Sequence, residues 1–563
     1  MVITSHLDQP VSACESVFSQ LSVLSWQRGA STFFTDHIPF SWSNGASFGN
    51  QILAYLKLIR QCYSSDSVLT CYELGTGLGR LFPYVSSQLK QESEFQNVQF
   101  YSNYFFQSMI QSLQKDRSID PACSVQFDQF SFDSFDFSKV KSYQLVVLSF
   151  LIQSLPHSYL VWNKGKFQEE KVISRLNGRP LMATNLLPFQ AIDSSDIMTW
   201  LIDQESDVVL NHLARIRDCF TEELVLTECD FLSKEEVDLL TAYFEEKQIS
   251  YCRFNYAKSA ISLLKNFFNY SSDRCLFLIQ DVGDMGDYGI PDDASRVNTY
   301  GVCQLAKVYF PLIRFIAEKF KFLVNGTSFN SDEIQQMVVY KGIPQDELNH
   351  CFDQFTQYPF LSQERQLKKS IYQAALFLNG DKFKDKVLNL IDVPKAGVLS
   401  CEMNLFIADY FYSKGGYLES LSYADQVVDY YGDFAIMAKL IQAKNYISTS
   451  QLNKAKHVLI QAIEVAPFVS DLYLYLSVIY LKRKKYDAFI DTMKGYLSCV
   501  QCDIDWNHMF TFLIVLAYHC SDKVEFEGFY ESIKFFIKQG YFSISPEIAN
   551  RFIAFELEYS QLV

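Results

Sequence analysis

The chain has 563 residues, 49% of them hydrophobic, which excludes a disordered chain and exceeds what one hydrophobic core usually organises. Its 49 Lys and Arg stand against 64 Asp and Glu, a formal net charge of -15, with no long basic run, so a nucleic-acid partner is disfavoured. The start, MVITSHLDQPVSACESVF, has no basic flank before an apolar core, and the longest apolar run, MFTFLIVLAY at 509 to 518, is too short for a membrane span. Fourteen cysteines without a framework pattern point to free thiols and a cytoplasmic location.

Along the chain, the apolar run Val68 to Tyr72 enters Glu73 and the stretch CYELGTGLGR (71 to 80), after which LFPYVSSQLK carries apolar residues at helical spacing. The order is strand, glycine loop, helix. VQFYSNYFFQSMIQSL, SYQLVVLSFLIQSLP and RCLFLIQDVGD continue the alternation, which predicts a doubly wound, Rossmann-like α/β domain with a mostly parallel sheet. Charge-rich sequence such as LSKEEVDLLTAYFEEKQ predicts a helical insertion at about 200–270.

After about 330 the strand signals fade, and SDEIQQMVVYKGIPQDELNHCFDQF is expected to open an all-α part. This divides the chain into 1–330 and 331–563. Small residues Ala408, Ala443 and Ser477 lie 35 and 34 apart, and Phe411, Tyr446, Tyr480 and Tyr417, Leu452, Tyr486 repeat those intervals. With Ala455, Ala462 and Pro467 in the middle copy, the period is that of a tetratricopeptide solenoid. Helical pairs are expected at 401–500 and again at 505–560, forming a groove for a protein partner. The expected arrangement packs the two parts together, with the groove near the carboxyl edge of the sheet. Cys499 and Cys502, followed by His508, His519 and Cys520, have no second CxxC and lie on an apolar run, so they read as buried thiols and no metal site is assigned.

A loop after a doubly wound strand faces the carboxyl edge of the sheet, where ligands bind, and glycines let backbone approach a ligand closely. Gly75, Gly77 and Gly79 follow Glu73. An acidic group there repels a pyrophosphate but attracts an ammonium, which favours S-adenosyl-L-methionine over a dinucleotide. Glu73 either meets that ligand or caps the loop.

The motif E-L-G-x-G-x-G resembles motif I of class I S-adenosylmethionine-dependent methyltransferases. Residues 145 to 172, LVVLSFLIQSLPHSYLVWNKGKFQEEKV, resemble the stretch after the fourth strand of the MidA-like members, where a hairpin follows. LFLIQDVGD (276 to 284) and ASFGNQILAYL (46 to 56) are similar to that family's late strand and its N-terminal Phe-Gly segment. The resemblance implies a cofactor site of Glu73, Gly75, Gly77 and Gly79. It places Ser102 or Asn103 where an acidic residue usually holds the ribose, and Asp128 where the adenine amino group is bound. Ser149, Phe150 and Gln153 stand where the family has Asn-Glu and Asp, and Asp281 with Gly283 ends the late strand. Two functions are implied: methyl transfer to a protein, with arginine as the family's acceptor, or an inactive methyltransferase-fold scaffold that grips a protein through its helical repeats. No catalytic residue is assigned.

Overall fold

A computed structural model describes residues 7–499 apart from 37, 39–44, 65, 91, 105, 116–124, 132–134, 177–180, 184–189, 193–209, 211–212, 219, 293, 327–333, 357–359, 379 and 392–399, together with 509, 511–512, 550 and 553–554. The chain divides into two compact units. One comprises Asp8–Ser174 and Glu222–Phe434; the other comprises Met1–Leu7, Arg175–Thr221 and Ala435–Val563.

The larger unit opens with α1 (Val17–Trp26) and α2 (Ala46–Gln61), followed by β1 (Leu69–Leu74), α3 (Leu81–Leu89), β2 (Val98–Tyr104), α4 (Gln107–Lys115), β3 (Val125–Gln129) and β4 (Tyr143–Ser149). A second group follows: β5 (Ser158–Asn163), β6 (Lys166–Leu176), β7 (Phe220–Glu228), α5 (Lys234–Glu246), β8 (Tyr251–Tyr256) and α6 (Lys258–Tyr270). The chain then returns through β9 (Cys275–Asp284), α7 (Phe310–Lys319), β10 (Leu323–Gly326) and β11 (Ile334–Lys341).

The main sheet has the order β10-β11-β9-β4-β1-β2-β3. β9, β4, β1, β2 and β3 are parallel, and β11 runs antiparallel to both β9 and β10. The winding reverses between β1 and β4, which makes the carboxyl ends of those two strands the topological switch point. Every residue of β1 and β4 is buried, because helices cover both faces of the sheet. Ile52, Tyr55, Leu81 and Phe82 of α2 and α3 pack one face against Cys71, Val147 and Leu278. Leu264, Phe267 and Ile313 of α6 and α7 pack the other face against Tyr72, Leu148 and Phe277.

The expected helical insertion is instead mixed. Its helices α5 and α6 form where predicted, α5 started by a Ser233–Glu236 capping box. Between and before them, however, β8 pairs antiparallel with β5, and β7 pairs with β6. The apolar segment YCRFNY of β8 meets an exposed hairpin edge there, and this tertiary pairing overrides the helical character of its neighbours. The hairpin turns at Lys164–Gly165 with φ of 46 and 88, the double left-handed turn that suits tightly paired strands.

A second difference concerns IQQMVVYK, which is β11 rather than the opening of the helical part. Met337, Val338, Val339 and Tyr340 are buried and the strand pairs with β9 along its whole length, so its β-branched apolar run completes the sheet. Helices begin after it: α8 (Gln345–Thr356), α9 (Phe360–Phe377), α10 (Gly380–Ile391), α11 (Cys401–Ser413) and α12 (Tyr417–Tyr431).

The other unit contains α13 (Ile436–Ser448), α14 (Leu452–Val465), α15 (Ser470–Lys482) and α16 (Tyr486–Cys499), in which each helix packs on the next. Ala443 and Ser477 there, and Ala408 in the larger unit, have no exposed surface, as small residues at helix contacts require. No strand occurs among the described residues of 401–499. The helical pair expected at 505–560 falls almost wholly outside the described residues, as do Cys502, His508, His519 and Cys520; the Cys499 thiol donates to the Pro467 carbonyl. No described helix is long and apolar enough to cross a membrane.

The hairpin sheet is held by a nearly buried ion cluster. The Glu170 carboxylate accepts from Arg253 Nε and Nη2 at 3.1 Å each and from Arg296 Nε at 2.6 Å. Arg296 also donates to the carbonyls of Phe254 and Leu160. Burial works against ionisation of Glu170, yet the two guanidinium groups hold its carboxyl below the ordinary value. Removing the carboxylate takes the acidic partner from buried Arg296 and leaves Arg253 only the exposed Asp292, 3.8 Å from its Nε, so Glu170→Ala is expected to destabilise the protein by about 3 kcal/mol. The shift in a urea unfolding midpoint measures it, and a loss below about 1 kcal/mol would show that the cluster is solvated.

Candidate functional site

β1 ends at Leu74, and the backbone then turns through three left-handed glycines, with φ of +80 at Gly75, +57 at Gly77 and +67 at Gly79. Only glycine adopts this run without strain, and a Cβ on Gly75 would press on Leu151 at 3.1 Å. The loop is pinned from β2: the Asn103 carbonyl accepts from Gly75 N at 3.2 Å and from Thr76 Oγ1 at 2.9 Å. Thr76 and Leu78 are buried, as is Gly79, while Gly75 and Gly77 are half-buried at the carboxyl edge.

Glu73, in β1 two residues before Gly75, has 1% of its surface exposed. Its Oε2 accepts from Ser102 Oγ at 3.0 Å, the register partner on β2. Burial pushes its carboxyl up to about 8, opposed only by that hydroxyl. At neutral pH the ligand-free site therefore holds mainly a protonated Glu73, and a cation brought beside it would favour ionisation.

The remaining sequence candidates divide by face. Glu73, Ser102 and Phe127 share one register row, while Leu74, Asn103 and Asp128 share the next, so Asp128 projects to the opposite face from Glu73. Asp128 is exposed and accepts from the neighbouring Gln129 N–H. Ser102 or Asn103 was expected to face the ribose, but the Ser102 hydroxyl is turned onto Glu73, its register partner on the same face of the sheet, and the Asn103 carbonyl is spent on the glycine loop. Ser149, at the end of β4, is buried and accepts from Gln280 Nε2 at 3.4 Å. Asp281 is not open to a ligand: Oδ2 accepts from the N–H groups of Ile152 and Gln153 at 2.8 and 3.2 Å, and Oδ1 from Val282 N at 3.0 Å. Burial raises its carboxyl to about 8 while these three donors pull it down. Asp281 thus fixes the loop after β4, and Gly283 admits the Val308 carbonyl, which a Cβ would meet at 2.1 Å.

The same edge carries three glutamines that the sequence did not single out, beside Phe150 and Gly49, which lie in segments it did. Gln336 of β11 exchanges amide hydrogen bonds with Gln51 of α2 at 2.8 Å and donates to Gln280 Oε1 at 2.7 Å, extending a polar row from Ser149. Only Gln280, inside the apolar run LFLIQDV, carries a signal that could have found it. Phe150 has φ +53, a costly conformation for an aromatic residue, and its N–H donates to the Gln280 carbonyl at 2.7 Å. Gly49, in the Phe-Gly segment of α2, leaves room for the Tyr84 ring of α3, which a Cβ would meet at 2.4 Å, and Tyr84 donates to Asn50 Oδ1.

No family model matches the chain, and no curated protein matches it. Two solved structures from Burkholderia thailandensis are similar to it. One is a COG1565 superfamily member bound to S-adenosyl-homocysteine, with a TM-score of 0.33, 10% identity, and coverage of 54% of this chain and 78% of that one. The other is an uncharacterized COG1565 superfamily protein, with a TM-score of 0.33, 11% identity, and coverage of 58% and 94%.

A pH prediction follows from Glu73. Its folded value, about 8, lies above the unfolded value of 4.5, so the folded state holds the proton more tightly. The stability this contributes is full below the unfolded value and is lost as pH rises to about 8, at up to about 1.4 kcal/mol per pH unit. Glu73→Gln is expected to remove this slope, so that the variant gains on wild type between pH 5 and 8 in about that measure. Parallel stability curves for the two proteins would place Glu73 in contact with water.

Proposed function

We propose that the chain binds S-adenosyl-L-methionine at the glycine loop and transfers its methyl group to a protein acceptor. The observation that carries this reading is Glu73, buried just before three left-handed glycines at the switch point of the main sheet. A buried carboxyl with a single hydroxyl partner among the described residues is costly to ionise, and a ligand ammonium is the group that would offset the cost. The strand order, doubly wound with one antiparallel strand between the last two parallel positions, fits the class I methyltransferase sheet that the motif resemblance implies.

The cofactor would supply an electrophilic methyl group on a sulfonium. The protein contributes positioning: Glu73 for the ammonium, and the glycine backbone for close approach. Asn103 and Asp281 fix the two loops that flank the site. An arginine acceptor needs a nearby carboxylate to take its proton. Ser149, Phe150 and Gln153 offer none, and Asp281 is committed to backbone donors. These residues favour an acceptor that is already nucleophilic at neutral pH. The helices α13 to α16, with Ala443 and Ser477 buried at repeat spacing within one unit, suit a groove that holds the protein.

A second reading, a non-catalytic scaffold on the same fold, is favoured by Ser102 facing Glu73, where the resemblance implies an acidic ribose contact. Calorimetric titration of the full chain with S-adenosylmethionine separates the two. Binding is expected, with a proton released at neutral pH, seen as a heat that varies with the buffer's ionisation enthalpy. Glu73→Gln should abolish the proton release and weaken binding by about 1 to 3 kcal/mol. Gly77→Val, placed where φ is +57, should abolish binding, with circular dichroism checking the fold. No heat from wild type would overturn the enzymatic reading in favour of the scaffold.

A further inference from the structure

Some 350 residues after the glycine loop, the end of α12 returns to it. Arg80 directly follows Gly79 and is buried; its Nη2 donates to the backbone carbonyl of Tyr431, and its guanidinium lies 5.6 Å from the centre of the Phe434 ring. Tyr430 packs its ring 5.3 Å from that of Tyr84 on α3, and 4.7 Å from that of Tyr431. The segment can make both sets of contacts because α12 stops at Gly432, whose φ of 55 turns Phe434 back toward Arg80.

Resting on the ligand reading of the glycine loop, we propose that Tyr430–Phe434 is a built-in cover over the Arg80 side of that loop, and that it competes with the ligand.

Two features make the cover displaceable. The Arg80 Nη2 bond to Tyr431 ends on a neutral peptide carbonyl, whereas a carboxylate, such as that of an amino-acid-like ligand, makes a stronger and shorter bond to that donor. In addition, the Tyr430 hydroxyl is buried without a hydrogen-bond partner among the described residues, a penalty that opening relieves. Burial raises its pKa, and Tyr84, Arg80 and Glu73 all lie within electrostatic reach of this hydroxyl, the last two from opposite ends of the loop. The segment belongs to the same compact unit as the sheet, so the cover is part of that unit's own fold.

The test combines hydrogen–deuterium exchange of the peptide spanning 75–84 with calorimetric titration by S-adenosylmethionine, on the full chain. In Tyr430→Ala/Phe434→Ala the loop is expected to exchange faster without ligand. The apparent affinity should tighten, about tenfold if one wild-type molecule in ten is open. Tyr430→Phe keeps the packing and removes only the unpartnered hydroxyl; it should slow loop exchange and weaken apparent affinity, which keeps the test decisive should the double variant fail to fold. Unchanged exchange in Tyr430→Phe and in a folded double variant overturns the cover. So does equal affinity in variant and wild type where both bind. Faster exchange in the double variant with no binding by either protein upholds the cover and overturns the cofactor reading instead.

Discussion

The arrangement at the carboxyl edge depends on one constraint: a carboxyl group, Glu73, is buried just before the glycine loop with, among the described residues, a single hydroxyl for company. Burying an ionised carboxylate without compensation is prohibitive, so the group is either protonated or paired with a cation. The site is thereby sensitive to charge in one direction. A pyrophosphate gains nothing there, whereas an ammonium both satisfies the acid and recovers its ionisation energy. The loop geometry matches that preference, because three consecutive odd positions in left-handed backbone remove the side chains that would keep a ligand at a distance.

Much of the surrounding fold serves to hold this edge still. Asn103 clamps the glycine loop from β2, and Asp281 gathers three backbone N–H groups to clamp the loop after β4. The glutamines of α2, β9 and β11 tie the helix layer to the strands at the same level. Buried polar groups that are satisfied in this way rigidify and specify an edge that apolar packing alone would leave adaptable. Phe150, held at φ +53 by its bond to Gln280, is the strained member of the set, and it lies where the methyltransferase resemblance implies chemistry.

The glycine loop and the parallel sheet were legible because each carries a local signature, glycines at fixed offsets and buried apolar runs, and the hairpin after β4 was legible through the resemblance of residues 145 to 172. The positions of Ala408, Ala443 and Ser477 were legible through their period, since a helix contact admits only small side chains there. β8 and β11 were not, because their strand character comes from partners distant in sequence, β5 and β9. Ser102 and Asp128 were singled out by position along their strands, but neighbouring strand residues alternate between faces, and only the register shows that Asp128 turns away. Tyr430 and Phe434 carry no signal at all in a tyrosine-rich helix end. Their significance lies in a contact with Arg80 that no local pattern encodes.

The protonation of Glu73 can be read directly. In infrared difference spectra of the ligand-free protein, wild type minus Glu73→Gln, the account predicts a protonated-carboxyl C=O band that persists through neutral pH and fades only near about 8. A band lost by about pH 5, the ordinary carboxylate range, would contradict it, because Glu73 would then be ionised without a cation and the case for an ammonium-bearing ligand would fall.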